Sequence, residues 1–297
     1  SSTLHLMKSR GPDYSDSFTH NKGNKRINLL HSRLSIIDLR QRSNQPFVIG
    51  SYVIIFNGEI YNFESLRKNL NIQNTKFSTN SDTEVLLKYY IKYGVRCLEY
   101  FEGMWSFAIY NKINGELFLA RDRFGEKPLF YFKDNQNFYF GSEIKYLKSL
   151  INQNLKINKN KIKSYLSFGY KSLCKNDQTF FKDIFSLSPG EYIKINKKQF
   201  IKKKYWQLRP KIDNSITQNE ALEESGRLLQ NSIKLRTRSD VPLTICLSGG
   251  VDASVIASYC VKKLNLNIKT FSIVDNDERY NEIKNKKILL KDLKCKN

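Results

Sequence analysis

The sequence predicts an α+β N-terminal portion followed by the start of an α/β unit, and three observations carry that division. Short apolar or alternating runs, bounded by Gly, Asn and Asp, fill residues 1–208, with two helical patterns among them. A change of composition falls at Arg209–Thr217 (RPKIDNSIT), a linker candidate, so 1–208 and 209–297 read as two domains. Past the linker, an apolar run, a glycine loop, a helix and a second apolar run stand in the order of a βαβ unit. That order requires a parallel sheet.

The elements can be justified in turn. Ile27–Leu30, Tyr52–Phe56, Trp105–Tyr110, Leu117–Ala120, Leu129–Phe132 and Asn137–Phe140 are strand candidates. Lys112–Gly115 and Asp134–Asn135 carry the residues of hairpin turns. Asn62–Leu70 is helical, as is Asp82–Tyr93, with Ser81 as N-cap, Glu84 at N3 in a capping box, and a stripe of Val85, Leu86, Tyr89 and Tyr90. In Ser188–Trp206, Pro189-Gly190 opens a hairpin of Tyr192–Ile195 and Phe200–Trp206, with most of its Lys free to face solvent. In the second domain, Glu220–Arg236 is a helix and Val241–Leu247 a strand. SGGVDAS, an amphipathic helix and the strand Ile268–Val274 follow.

Composition narrows the function classes. Of 297 residues, 40% are apolar and 13% aromatic, enough for a core and against wholesale disorder. The apolar runs are far shorter than the ~20 residues that span a bilayer, and Ser1–Arg10 lacks a signal-peptide apolar segment. The five cysteines (97, 174, 246, 260, 295) are widely spaced with no CxxC, which indicates neither a disulfide framework nor a zinc site. Reduced thiols in a cytoplasm fit this usage. The net charge is +22, and residues 151–212 hold 15 basic against 3 acidic residues. Such an excess suits nucleic acid or solvated Lys faces. No nucleic-acid module accompanies it, so solvated faces are the reading preferred.

Ser248-Gly249-Gly250-Val251-Asp252-Ala253-Ser254 is the most informative local feature. Two glycines let the backbone approach an anion. The helix start offers free N–H groups, and Ser248 and Ser254 add hydroxyls. Asp252 can hold a Mg²⁺ bound to a phosphate. The same residues equally suit a plain strand-to-helix turn. The loop resembles the SGG[LV]DSS pyrophosphate loop of ATP pyrophosphatases, with Ala253 where a hydroxyl residue is usual.

The N-terminal portion carries Arg10-Gly11-Pro12-Asp13, Arg33-Leu34-Ser35-Ile36-Ile37-Asp38, Asn57-Gly58-Glu59-Ile60-Tyr61-Asn62, Ser81-Asp82, Arg121–Leu129 and Ser142–Lys145 in that order. This is similar to the class II glutamine amidotransferase domain of glutamine-dependent asparagine synthetases, and with SGGVD the resemblance covers nearly the whole chain. It implies an N-terminal nucleophile-type sandwich, two antiparallel sheets between helices, joined to a Rossmann-like ATP pyrophosphatase domain. It implies asparagine formation through a β-aspartyl-AMP intermediate, with ammonia from glutamine and with ATP and Mg²⁺ as cofactors. Aspartate is then the acceptor, and the intact enzyme a homodimer with no membrane role. Two alternatives stay open: a relative that amidates another carboxylate, such as a sugar, and a catalytically dead binding protein.

By the resemblance, Arg33 receives the glutamine α-carboxylate, and Asp82 with Glu59 the α-ammonium. The Asn57 side chain and the Gly58 N–H form the oxyanion hole. Arg10 and Met104 lie near an ammonia tunnel. Ser248, Gly249, Gly250, Asp252 and Ser254 hold pyrophosphate, with Asp252 toward Mg²⁺. Cys246, Leu247 and Ile273, on two neighbouring strands, flank adenine and ribose. The family nucleophile is an N-terminal Cys, and none precedes Cys97. Ser1 stands too close to RGPD to replace it. Leu4–Lys8 resembles the helix leading into RGPD, and Asp277-Glu278 falls well before the end of a synthetase domain. The chain therefore reads as a portion of a longer protein, without the nucleophile strand and most of the synthetase domain, and is not expected to hydrolyse glutamine.

Overall fold

The computed structural model describes residues 2–151, 153–173, 176–273 and 283–294. Ser1, Cys174, Val274, Asp277, Glu278 and Cys295 lie outside the described residues. The chain divides into two compact units, Ser1–Arg209 and Pro210–Asn297.

The first unit is built on a six-stranded antiparallel sheet in the order β11-β10-β6-β5-β4-β3. Its strands are β3 (Phe47–Ile49), β4 (Tyr52–Ile60), β5 (Gly103–Asn111), β6 (Leu117–Arg121), β10 (Glu191–Ile195) and β11 (Phe200–Lys204). Alternate side chains on a strand face opposite sides, and here both sides are buried. Ile54, Phe56, Phe107, Ile109, Phe118 and Ala120 pack under α2 (Phe63–Ile72) and α3 (Asp82–Tyr93). Val53, Ala108, Tyr110, Leu117, Leu119 and Ile193 pack against Leu29, Leu129 and Tyr131. This two-sided burial explains why these strands read as continuous apolar runs. Each buried large side chain contributes ~1.5–3 kcal/mol.

The second layer comes in two pieces. One is the hairpin β1 (Tyr14–Lys22) and β2 (Lys25–Arg33); the other is a sheet β8-β7-β9 of Phe138–Gly141, Phe130–Lys133 and Ile184–Ser186. Behind β7 and β8 lies α4 (Ile144–Ile151), whose Leu147 and Ile151 meet Phe130, Phe132 and Tyr139. Helix α1 (Ser2–Met7) joins α4 through Thr3 Oγ1 and Ser149 Oγ, 2.9 Å apart. The succession helices, sheet, sheet, helices is the sandwich that the resemblance implies. Helix α5 (Lys159–Phe168) follows α4.

The structure adds to and corrects several expectations. Strands β1, β3 and β9 and helices α4 and α5 are additional. The box expected at α3 is half present. Ser81 Oγ accepts from Glu84 N–H at 3.3 Å, but the Glu84 carboxylate turns to Ser78 and Thr79 instead of the Ser81 backbone. In the β10–β11 hairpin Lys197, Lys198, Lys203 and Lys204 are exposed, as expected of most of its Lys, while Lys194 and Lys202 are half-buried. Lys194 pairs with Glu116 at 2.9 Å, and Lys202 with Asp177 and Glu191 at 2.9 and 3.3 Å.

In the second unit, α6 (Gln218–Arg236) opens on a complete capping box of Thr217 and Glu220. Strands β12 (Thr244–Cys246) and β13 (Lys269–Phe271) pair in parallel around α7 (Val251–Lys262), as the βαβ order requires. Helix α8 (Ile283–Leu293) completes it. Ile233, Leu247, Ala257, Cys260, Ile268 and Leu293 form the core. The strand at 241–247 is shorter than expected, and Ile273 follows β13 instead of lying within it. Among the described residues, no helix is long and apolar enough to cross a membrane.

Candidate active site on an open strand edge

Strand β4 pairs with β3 only along residues 52–54, and its remaining length borders a cavity of about 1300 Å³. The edge groups along it are met by side chains instead of a strand. Phe56 N–H donates to Gln45 Oε1 at 2.6 Å, and Phe56 C=O accepts from His31 Nε2 at 3.1 Å. Ile60 N–H donates to Asp82 Oδ2 at 3.0 Å. Alternate residues of an antiparallel strand send their backbone groups to the same side. Gly58, between Phe56 and Ile60, therefore faces this edge too. Its register partner on β5, Trp105, is engaged elsewhere: N–H to Asp122 Oδ2 at 3.1 Å and C=O to Asp122 N–H at 2.8 Å. The Gly58 N–H thus points toward the cavity side. Its φ of +146° is open to glycine, and an added Cβ would lie 2.1 Å from Met104 O.

The expected residues of this unit all line that one cavity: Arg10, Arg33, Asn57, Gly58, Glu59, Asp82 and Met104. Asn57 Nδ2 donates to Ser142 Oγ at 3.1 Å, which fixes the amide beside Gly58. Arg10 is tied to Glu143 at 2.9 Å. Arg33 is buried at the end of β2. Its Nη1 donates to Arg40 O and Asn44 Oδ1 (3.2 and 2.8 Å), its Nη2 to Ile37 O and Asp38 O (3.1 and 2.6 Å). All four terminal N–H groups are thereby engaged. The free fork expected for a carboxylate is not available in this arrangement; what Arg33 offers the cavity is its charge.

Asp82 stands at the first position of α3 with its carboxyl buried. Burial, joined by the Glu59 carboxylate, raises it to about 7 against the bond from Ile60 N–H. Glu59 is raised as well, by burial, with Lys127 opposing. Burial holds His31 down at about 4, so it is neutral at physiological pH, with Nε2–H as the donor to the Phe56 carbonyl. The raised Asp82 has a consequence for stability. An acid whose folded pKa exceeds its unfolded value favours folding below the unfolded pKa, near 3.8, and loses that contribution as pH rises through 7. Asp82→Asn removes this loss. The variant is expected to match the parent near pH 4 and to exceed it by ~2–4 kcal/mol above pH 7, read by urea melts at both pH values. An equal gap at both would refute it.

Positioning residues escaped the sequence reading. Asp38 (φ +48°) accepts from Asn80 N–H at 2.7 Å and pairs with Arg42 at 3.2 Å, locking the 34–44 loop to the approach of α3. Burial works against its charge, but these bonds keep its carboxyl below the usual range. The Asp122 carboxylate collects N–H groups from Trp105, Phe124, Glu126 and Lys127 at 3.0–3.1 Å. His31 was within reach: it precedes Arg33 by two residues on a strand and so shares its face. Among the described residues no cysteine lines the cavity, and Cys97 is fully buried in the helix-side core.

In the second unit, the glycine loop joins β12 to α7. Gly249 has φ +94°, and Gly250 is the N-cap. Gly250 N–H donates to Ser248 Oγ at 3.1 Å, and Ser254 Oγ donates to Gly250 O at 2.7 Å. These two donors are turned inward. Asp252 is exposed on the first turn of α7, whereas Ala253 packs against the core. Among the three residues expected to flank a nucleotide, Cys246 and Ile273 are exposed, but Leu247 is 1% exposed. Leu247 is a core residue whose N–H donates to Phe271 O at 2.7 Å, and this corrects its assignment to a nucleotide wall. No group of three or more His, Cys, Asp or Glu that could hold a metal occurs among the described residues. A single exposed carboxylate at a helix start fits a Mg²⁺ carried mainly by phosphate oxygens and water.

Residues 1–206 match the glutamine amidotransferase domain family, and residues 224–297 match the asparagine synthase family. Asparagine synthetase [glutamine-hydrolyzing] 1 of Bacillus subtilis is 35% identical over 282 residues, covering 94% of this chain and 43% of the relative. Its paralogue, asparagine synthetase [glutamine-hydrolyzing] 2, is 34% identical over 298 residues, covering 94% and 39%. Amidase chry2 of Gibberella zeae is 30% identical over 282 residues, covering 88% and 39%. The chain thus spans about half the length, or less, of these relatives. Among solved structures, the glutamine phosphoribosylpyrophosphate amidotransferase of B. subtilis shares the fold, with a TM-score of 0.51 at 16% identity, over 90% of this chain and 61% of that one. With both domain families matched in this order, the chain belongs to the asparagine synthetase family and covers its N-terminal part.

Proposed function

We propose that the first unit binds glutamine for amide transfer and that the second begins the ATP site of an asparagine synthetase. The observation that carries the first half is the Gly58 N–H on an open strand edge, flanked by the Asn57 amide and by two carboxylates in one cavity. The carboxamide oxygen sits against Gly58 N–H and Asn57 Nδ2, donors that strengthen as the oxygen gains charge; one such donor is worth ~3–4 kcal/mol in a transition state. Asp82 and Glu59 receive the α-ammonium, and the Arg33 charge faces the α-carboxylate. The attacking thiol is not among these residues, so binding, not turnover, is the property assigned to this chain. Arg10 and Met104 stand where released ammonia would leave.

In the second unit, the Ser248–Ser254 loop receives the pyrophosphate of ATP, and binding turns Gly250 N–H from Ser248 Oγ, and Ser254 Oγ from the Gly250 carbonyl, to the anion. Mg²⁺ held with Asp252 offsets phosphate charge. Aspartate is the acceptor proposed for the family's reaction. A different acceptor carboxylate is the second reading, since the likeness extends to a relative that is named an amidase and not an asparagine synthetase. Calorimetric titration of the chain with L-glutamine, D-glutamine and L-glutamate tests the first half. L-Glutamine is expected to bind in the millimolar range or tighter, and at least ~10-fold better than its enantiomer, a difference of 1.4 kcal/mol. Equal heats from both enantiomers would remove the glutamine reading.

A further inference from the structure

One cation stands beside the site carboxylates without a partner of its own. Lys127 lines the cavity with Glu59 and Asp82, and its Nζ makes no hydrogen bond or ion pair among the described residues. Its backbone, by contrast, is held from both sides. Lys127 N–H donates to Asp122 Oδ2 at 3.0 Å, and Lys127 C=O accepts from Arg121 Nε at 2.7 Å. The same Asp122 oxygen accepts from Trp105 N–H. Trp105 lies opposite Gly58, and Met104 opposite Glu59. One carboxylate oxygen therefore pins Lys127 at the level of Gly58 and Glu59.

The charges around Glu59 make this placement meaningful. Asp82 from α3 and Lys127 from the loop after β6 act on it directly, while Arg33 and neutral His31 from β2 and Arg10 from the turn before β1 line the same cavity. Arg10 is already paired with Glu143, and Arg33 is engaged with the 37–44 loop. Two neighbouring half-buried or buried carboxylates tend to retain a proton between them unless a cation compensates. A retained proton competes with an incoming ammonium for the same oxygens.

We propose that Lys127 is a positioning residue of the glutamine site: its ammonium keeps Glu59 a carboxylate, so that Glu59 and Asp82 together receive the substrate α-ammonium. This rests on the glutamine reading above. The test uses the whole chain and its Lys127→Met and Lys127→Arg variants. Glutamate carboxyl groups are followed by ¹³C NMR, with Glu59 assigned through Glu59→Gln, and L-glutamine affinity is measured by calorimetry between about pH 6 and 8.5. In Lys127→Met, Glu59 is expected to titrate about one unit higher. Glutamine affinity should fall about tenfold at the acid end and recover at the alkaline end, and Lys127→Arg should restore both. An unmoved Glu59 titration in Lys127→Met overturns the proposal, as does an affinity loss of the same size at every pH. If the parent ignores L-glutamine while Lys127→Met still moves Glu59, the charge coupling is upheld and the substrate assignment alone falls.

Discussion

Glu84→Ala is expected to destabilise the first unit by ~3–5 kcal/mol and to abolish ordered presentation of Asp82. Glu84 is almost wholly buried in the first turn of α3, and its carboxylate is a collector. Ser78 N–H reaches it at 3.0 Å, Thr79 N–H at 2.7 Å, Ser78 Oγ at 3.1 Å and Thr79 Oγ1 at 2.7 Å, and Lys88 pairs with it at 2.9 Å. Burial pushes its carboxyl up, but the bonds from Ser78, Lys88 and Thr79 outweigh that and hold it below its ordinary value. The segment it fastens is the one that delivers Asp82 to Ile60. Arg67 supports the same segment through Thr79 O and Ser81 O. Alanine leaves two backbone donors without their acceptor and takes the counter-charge from Lys88, whose ammonium keeps the Lys76 carbonyl. Both tryptophans of the chain, Trp105 and Trp206, lie in this unit. Urea unfolding followed by tryptophan fluorescence therefore reports on it. A folded pKa below the unfolded one contributes stability above the unfolded value, near 4.5, that is lost as pH falls through the folded value. The gap between parent and variant should accordingly narrow in acid. A gap below 1 kcal/mol at neutral pH, or one that widens in acid, would count against the account.

What was legible in the sequence follows burial. The runs at 52–56, 105–110 and 117–120 announced themselves because their strands are covered on both faces. Strand β1 did not, because YSDSFTHNK is the outer strand of a hairpin and mostly exposed, so no apolar pattern marks it. The candidate site was legible through ordered motifs and in no other way. Arg33, Asn57 and Asp82 meet only through long-range packing, which no local spacing encodes. Residues that hold the site are quieter still. Glu84 and Asp122 bind backbone N–H groups of neighbouring loops, a role that any acidic residue at a turn could have. Ser81 and Glu84 carried the signature of a capping box, yet the carboxylate went to Ser78 and Thr79, where more donors lay within reach. In the second unit, the βαβ order fixed the parallel pairing. Leu247 shows the limit: a strand residue beside a glycine loop can face a ligand or the core, and here the core claims it.

Gly58→Ala is the other change of large effect, because two separate demands meet on that residue. The first is steric. The added Cβ would lie 2.1 Å from Met104 O and 2.6 Å from Trp105 Cα, both backbone atoms. Strand β5 has no room to withdraw. Trp105 is clamped by Asp122 at both its N–H and its C=O, and its ring is buried between Phe101 and Phe107. Gly103 repeats the condition from the facing strand, with φ +154° and a Cβ site 2.1 Å from Glu59 O. The end of the β4–β5 ladder is thus tight from both sides, and alanine must splay it. A cost of ~3–5 kcal/mol is expected, on the scale of overpacked cores plus backbone strain. Gly50→Ala is the control: it has φ +55° with nothing within 4 Å of its Cβ site, and should cost only ~1–2 kcal/mol. Equal losses in the two variants, by the fluorescence melts above, would show that the close approach is not what Gly58 is for. The second demand is chemical. Splaying the ladder moves the Gly58 N–H away from Asn57 Nδ2, so L-glutamine affinity should fall in Gly58→Ala and stay within about twofold in Gly50→Ala. The two demands share a cause. Gly58 and Trp105 form a non-hydrogen-bonded pair of the ladder, so the Gly58 N–H turns away from β5 to the open edge and the two backbones lie at their closest there, with Asp122 holding Trp105 in place. That same close approach is why only a hydrogen fits at position 58.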